Sequence, residues 1–269
     1  MKRFHDVRVL MVGGSSGIGL EAAKIFAQEG ARVLLVARTE EKLRSAQTEV
    51  HNSTYFCADI SNRESCMSMH RHVVNLWGGI DIVVNNAAVH YRGAVNEREP
   101  EELAEMIRCN LEAPIYISRL FLPQLLESKG VLINVASLAG CVPLPFSSTY
   151  SASKFGLRAF TLALAQELKK QDVHVAVVSP GPVATDFLLD NLDVVSDITL
   201  SQPILSAKEV GNAIVKACIS RKNEIALPYF SGVLTTIGYV FPSVHRLLQG
   251  FLARKGARQR AKLTRNKIQ

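Results

Sequence analysis

The sequence predicts a doubly wound α/β fold: one domain on a seven-stranded parallel sheet, with helices on both faces. Three observations predict it. Short, β-branched apolar runs alternate with longer amphipathic stretches through the first 228 residues. Most of these runs are apolar at successive positions, as in strands covered on both faces. The strand–helix–strand spacing is that of parallel strands joined by right-handed crossovers. A chain of 269 residues with 48% hydrophobic and 20% charged residues can bury one sizeable core without dividing.

Strands are expected over residues 7–12, 32–37, 54–58, 80–85, 131–136, 173–179 and 224–227. Helices are expected over 17–29, 40–50, 61–77, 100–126, 149–170 and 207–220. Two stretches fall outside the alternation. Residues 180–206 form a long connection with two short apolar patches, the profile of a lid or binding loop. Residues 229–269 form an extension of different character, an apolar helical segment followed by a basic tail.

The five cysteines are dispersed, with no C-x-x-C pair, so neither a disulfide framework nor a zinc site is expected. The chain runs from Met1 directly into an apolar strand, which leaves no room for a signal peptide. Both points favour a reducing, cytoplasmic setting. The net charge of +7 comes from the tail: residues 253–269 hold seven basic and no acidic residues. Of 31 Lys and Arg, 31 less these seven leaves 24, which balance the 24 acidic residues.

The first strand runs into Gly13, Gly17 and Gly19, a G-x-x-x-G-x-G turn that opens the first helix. Glycine there allows a tight path and close approach to a pyrophosphate, and the helix N-terminus presents free N–H groups to it. The second strand ends in Ala37-Arg38-Thr39, without the acid that would hold a ribose 2′-hydroxyl. Arg38, helped by the Ser15 hydroxyl, suits a 2′-phosphate, so NADP(H) is expected over NAD(H). The alternative for Arg38 is a solvated surface charge.

Tyr150 and Lys154 stand four apart on the expected helix 149–170 and share one face. A nearby ammonium favours the phenolate, and such a pair can pass a proton to or from an alcohol oxygen. Ser137 sits just past the fifth strand, at the carboxyl edge where open α/β sheets bind ligands. Asn110 is a polar residue within an otherwise apolar helical stretch. It reads either as a functional amide or as a helix-bending residue with a buried backbone contact.

Taken in order, these residues resemble the short-chain dehydrogenases/reductases over about residues 6–228. The shared pattern includes Gly13, Gly17 and Gly19, Asp59, Asn85-Asn86-Ala87-Ala88, Asn110, Ser137, Tyr150, Lys154, Pro180-Gly181 and Thr185-Asp186. The resemblance implies a Rossmann-type catalytic domain over 1–228 that interconverts an alcohol and a carbonyl. Tyr150 would be the general acid/base, and Lys154 would lower its pKa and hold the nicotinamide ribose. Ser137 would polarise the carbonyl, and Asn110 would hold a relay water. Asp59 would contact the adenine. The cofactor surface would comprise Gly13, Ser15, Ser16, Gly17, Ile18, Gly19, Arg38, Asp59, Ile60, Asn86, Ala87, Ala88, Tyr150, Lys154, Pro180, Gly181, Val183 and Thr185. The chain departs from the family at Val12, where Thr is usual, and at Ala88, where Gly is usual.

The apolar segment after Ser137, starting at Leu138, and Phe187, Leu188, Leu189 and Leu192 favour a lipophilic small-molecule substrate. Ser137, Leu138, Tyr150 and Phe187 are the expected substrate contacts. Two other activities are weighed against this one: a 3-oxoacyl-thioester reductase, and a catalytically silent dinucleotide sensor or scaffold. A homo-oligomer is expected from the resemblance.

In the extension, Val233, Ile237, Val240, Phe241, Val244, Leu247, Leu248 and Phe251 recur at helical spacing. Pro242 should kink or split that helix, and His245, Arg246 and Gln249 argue against a membrane span. Two readings stand: a helix that covers the domain or an oligomer interface, and a peripheral anchor on the cytoplasmic face of a membrane. Nucleic acid is not expected, because no aromatics interleave with the charge.

Overall fold

The computed structural model describes residues 3–268, without the side chains of 244–246 and 266–268. Val244, His245 and Arg246, singled out above, therefore have side chains outside the described part. The strands are β1 (Arg8–Val12), β2 (Arg32–Ala37), β3 (Ser53–Cys57), β4 (Ile82–Asn85), β5 (Val131–Val135), β6 (His174–Pro180), β7 (Val183–Ala184), β8 (Leu205–Ser206) and β9 (Glu224–Leu227). The helices are α1 (Gly17–Gln28), α2 (Glu40–Glu49), α3 (Arg63–Trp77), α4 (Pro100–Ile107), α5 (Ala113–Ser128), α6 (Ser148–Glu167), α7 (Asp186–Leu189), α8 (Asp197–Leu200), α9 (Ala207–Ser220), α10 (Tyr229–Val240) and α11 (Pro242–Ile268).

Seven strands form one parallel sheet in the order β3-β2-β1-β4-β5-β6-β9. The strand order reverses between β1 and β4, which opens a crevice at their carboxyl ends. Successive side chains of one strand serve opposite faces, which explains the unbroken apolar runs. Val9 and Met11 of β1 pack with Phe26 of α1 and Ile214 of α9. Leu10 and Val12 of the same strand pack with Met69 of α3 and Phe121 of α5.

The helix expected over 100–126 is two helices, α4 and α5, joined by a π-helical turn at Arg108–Glu112. Pro114 has no N–H to offer the carbonyl of Asn110 four residues earlier. The ladder shifts accordingly, and the Ala113 N–H reaches back five residues to Arg108. The helix expected over 149–170 ends at Glu167, with a 3₁₀ turn after it and Asp172 in the left-handed region. Residue 81 lies outside the sheet: the Asp81 carboxylate accepts from the Arg8 backbone N–H at 2.8 Å and from its guanidinium at 2.7 and 2.9 Å.

The connection 180–206 is tied at its base by β7, which pairs with β8. Above that base stand α7 and α8, and Leu188, Leu192, Val195 and Leu200 form a small apolar cluster of their own. Leu263 of α11 completes this cluster. Arg260 of α11 donates to the carbonyls of Leu192, Asp193 and Val195 and to the Asp197 carboxylate, the last at 2.8 and 3.0 Å. The basic tail thus folds back across the connection. The extension does divide at Pro242. Here α10 lies on β9, with Gly232 pressed against Ala226 and Tyr239 near Phe155. The outward side of α10 is apolar and exposed: Phe230 is 79% and Tyr229 70% accessible, and Leu234, Val240 and Phe241 follow.

Candidate active site

The carboxyl ends of the central strands border a cavity of ≈390 Å³. At one end stands the glycine turn. Gly13 has φ +81°, and a side chain there would meet Ala87 N at 2.6 Å. A side chain at Gly19 would meet Gly13 O at 2.0 Å. Asn86 Nδ2 donates to Gly13 O at 2.9 Å, and Val12 O accepts from the N–H groups of Asn86 and Ala87 at 3.0 Å each. These contacts lock the turn against the end of β4. Ser16 caps α1 with extended backbone and makes no side-chain bond to the helix. The first-turn N–H groups of α1 are therefore left to an anion. The cradle fits the pyrophosphate of a dinucleotide.

Beside this turn the wall contains Ser15, Ser16, Gly17, Ile18, Arg38, Ile60, Asn86, Ala87 and Ala88, with Thr39 and Lys42. Pro180, Gly181, Val183, Thr185 and Phe187 close the cavity from the far side. Asp59 is exposed, and its carboxylate accepts from the Ser61 N–H and hydroxyl at 2.9 and 2.8 Å, while Ala58 and Ile60 face the cavity. Gly19 stands behind the turn.

At the other end α6 delivers Tyr150 and Lys154, both buried. Lys154 Nζ donates to the Val135 carbonyl at 2.9 Å and lies 5.8 Å from the centre of the Tyr150 ring. Burial lowers the Lys154 pKa to about 8. Burial pushes the Tyr150 phenol up; the Arg92 guanidinium and a hydrogen bond from Ser137 pull it back down. Lys154, the cation expected from the four-residue spacing, thus stands beside the Tyr150 ring, and Arg92 adds a second positive charge near the phenol. Ser137 has extended backbone, and its hydroxyl accepts the Ala139 N–H at 3.1 Å. Leu138 is turned into the protein beneath Gly181 and Gly232, and Ala139 takes its place on the cavity wall.

Asn110 is fully buried and does not border the cavity. Its amide pairs with the Val89 backbone in both directions at 2.8 Å and donates to Ser153 Oγ at 3.3 Å. Ser153 in turn donates to the Tyr150 carbonyl at 2.7 Å. The amide therefore binds the loop after β4 to the helix that carries Tyr150.

That loop supplies two residues that sequence reasoning missed. His90 stacks flat on Tyr150, with ring centres 3.9 Å apart and planes 10° from parallel. Its Nε2 lies 3.1 Å from Ser147 Oγ. Arg92 sits over the Phe187 ring at 5.3 Å and donates to the Phe187 carbonyl at 3.3 Å. Leu144 and Ser147 complete this end. The available signal was position: the loop leaves the carboxyl end of a central strand directly after the Asn85–Ala88 motif.

Burial, with Arg92 and Lys154 nearby, lowers the His90 pKa from 6.5 to about 2. The unfolded chain binds a proton near pH 6.5 that the folded chain refuses, so stability falls as pH drops below that value. His90→Phe should keep the stacking and flatten the decline in Tm between pH 7 and pH 5, as read by thermal unfolding in matched buffers. A parallel decline in both proteins would place the loss elsewhere.

The short-chain dehydrogenase family model matches residues 8–193. A solved metagenomic short-chain oxidoreductase in complex with NADP superposes with a TM-score of 0.71 at 28% identity, over 83% of this chain and 97% of that one. "Dehydrogenase/reductase SDR family member 7B" of Xenopus tropicalis is 26% identical over 95% of this chain and 87% of its own length. "Ketoacyl reductase HetN" of Nostoc sp. is 30% identical over 90% of this chain and 88% of its own. The chain belongs to the short-chain dehydrogenases/reductases. It is an oxidoreductase that acts on CH–OH groups of small molecules with a nicotinamide dinucleotide.

Proposed function

We propose that this chain interconverts a lipophilic secondary alcohol and its ketone, with NADP(H) as the hydride carrier. The observation that carries the reading is the Ser137–Tyr150–Lys154 group, its tyrosine and lysine buried, at the end of a cavity that begins at a glycine cradle. The dinucleotide supplies the hydride. Ser137 holds the substrate oxygen, and Tyr150 gives it a proton in reduction or takes one in oxidation. Lys154, with a pKa near 8, carries the charge that Tyr150 needs and holds the ribose. Asn110 and Ser153 fix the height of Tyr150 above the sheet. The test is NADPH oxidation with ketones graded by chain length, with Tyr150→Phe alongside. Preference for small polyols or sugars would overturn the lipophilic part.

The preference for NADP(H) rests on Arg38 and Lys42, two cations on the cavity wall where β2 meets α2. Arg38 uses one Nη on Glu105 at 3.1 Å and keeps further donors for a phosphate. Joint replacement of Arg38 and Lys42 by alanine should weaken NADPH binding roughly tenfold or more, the size of a lost charged contact. NADH binding should change little. Equal weakening of both would remove the preference from these residues.

The likeness to a ketoacyl reductase keeps an acyl-thioester substrate as a second reading. We further propose that residues 229–269 are a functional appendage that rests on an anionic membrane surface, in a protein held peripherally on its cytoplasmic face. The exposed apolar side of α10 and the acid-free basic tail support this. No helix among the described residues is long and apolar enough to cross a membrane. Vesicles with anionic lipid should sediment the protein, and neutral vesicles should not. Sedimentation by neither would eliminate the surface role. A homo-oligomer is also proposed, supported by Ile115 and Leu126 exposed on α5.

A further inference from the structure

Arg92 is a cation in the substrate end of the cavity that the proposed chemistry does not use. Arg92 is half-buried, and that burial lowers its pKa. Among the described residues it makes no ion pair within 4 Å. The other cations of the cavity differ from it. Arg38 and Lys42 stand at the far end, and Lys154 is bonded to Val135. Asp186 is the only carboxylate on the wall among the described residues, and it does not pair with Arg92. Burying an unpaired charge is costly, and a folded chain that keeps one in a binding cavity gains when a counter-charge arrives.

The geometry limits what that counter-charge can be. Phe187 lies beneath the guanidinium, and its carbonyl takes one Nη. The remaining donors form a planar fork suited to the paired oxygens of a carboxylate or phosphate. Ser147 and His90, bonded to each other at 3.1 Å, add polar atoms beside it. The Phe187 ring under Arg92 stands 6.5 Å, centre to centre, from the Tyr150 ring and 6.2 Å from that of His90. An oxyanion seated on Arg92 therefore belongs to the same molecule as the reacting carbonyl.

We propose that Arg92 selects substrates that carry an oxyanion, a carboxylate or a phosphate monoester, a few bonds from the carbonyl, with the apolar remainder against Leu144 and Phe187. This rests on the oxidoreductase reading above and narrows its substrate from a lipophilic ketone to an anionic amphiphile.

The test uses full-length protein with NADPH and ketones of one chain length that carry a carboxylate, a phosphate monoester or the methyl ester of the carboxylate. The expected result is a charged-over-ester ratio in kcat/KM of roughly ten- to a hundredfold, the range of one charge-assisted contact. Arg92→Gln should bring that ratio close to one, and Arg92→Lys should retain part of it. The better of the two charged probes identifies the oxyanion. NADPH affinity, measured by fluorescence titration, separates substrate recognition from cofactor recognition: a loss in Arg92→Gln that equals the loss in the ratio would overturn the proposal. Turnover of all three ketones with no charged preference would overturn it too, and would leave the oxidoreductase reading standing. A second measurement covers absent turnover: calorimetric binding of a saturated carboxylate and a saturated phosphate amphiphile of the same length to the NADP-bound protein. Arg92-dependent binding without turnover would uphold the anion site and sink the reaction. Absence of both would overturn both.

Discussion

Tyr150→Phe should lower kcat by about 10²- to 10⁴-fold, the span of a lost general acid, while NADPH binding stays close to that of the parent. The phenol is the one group on the cavity wall with Ser137 bonded to it, Lys154 a turn away and a histidine ring flat against it. Phenylalanine keeps the ring, its stacking on His90 and its packing with Met106 and Ala139. Only the proton donor goes. Stopped-flow hydride transfer with saturating ketone would measure the loss. A kcat within a few-fold of the parent would hand the proton to another group, and Arg92 and Ser137 are the neighbours left to examine.

Gly19→Ala should abolish dinucleotide binding. The added methyl would stand 2.0 Å from the Gly13 carbonyl oxygen and 2.7 Å from Asn86 Nδ2. Neither neighbour can give way cheaply. The carbonyl belongs to a residue at φ +81° pressed against Ala87, and the Asn86 amide bonds to that same carbonyl at 2.9 Å. The turn would have to open, and the first-turn N–H groups of α1 would lose their aim. Isothermal titration with NADPH and with NADH should both read no binding. Circular dichroism would report whether the core, which lies behind the turn, persists. Near-parent affinity would mean that the cradle is softer than its contacts indicate.

The sheet was legible in the sequence for a physical reason. The inner strands face helices on both sides, so their residues are mostly apolar at successive positions, and such runs stand out between the amphipathic stretches. Ser137, Tyr150 and Lys154 stood out as candidates because Ser137 follows a strand end and the other two stand one helical turn apart. What was not legible depended on tertiary contacts. The π turn at Asn110 was written in Pro114, but a proline near a helix start also suits an unbroken helix. Leu138 and Ala139 are neighbours at the end of a strand, and only the packing of Gly181 and Gly232 decides which one faces the cavity. His90 and Arg92 carry no local signature. Their roles come from Asn110, which clamps Val89 on both sides and so aims the next residues at Tyr150.

The charge attributed above to a membrane-seeking tail is also structural. Arg260 reaches across 63 to 68 residues of sequence to hold the backbone of residues 192–195 and the Asp197 carboxylate. The segment it holds carries Val195, Ser196 and Thr199 onto the cavity wall. A protein cut after the last strand would lose the brace behind this part of the cavity's roof. A fusion, a cleavage or a surface that takes hold of the final helix has a direct mechanical route to that roof, and its effect would be read in KM before it was read in solubility.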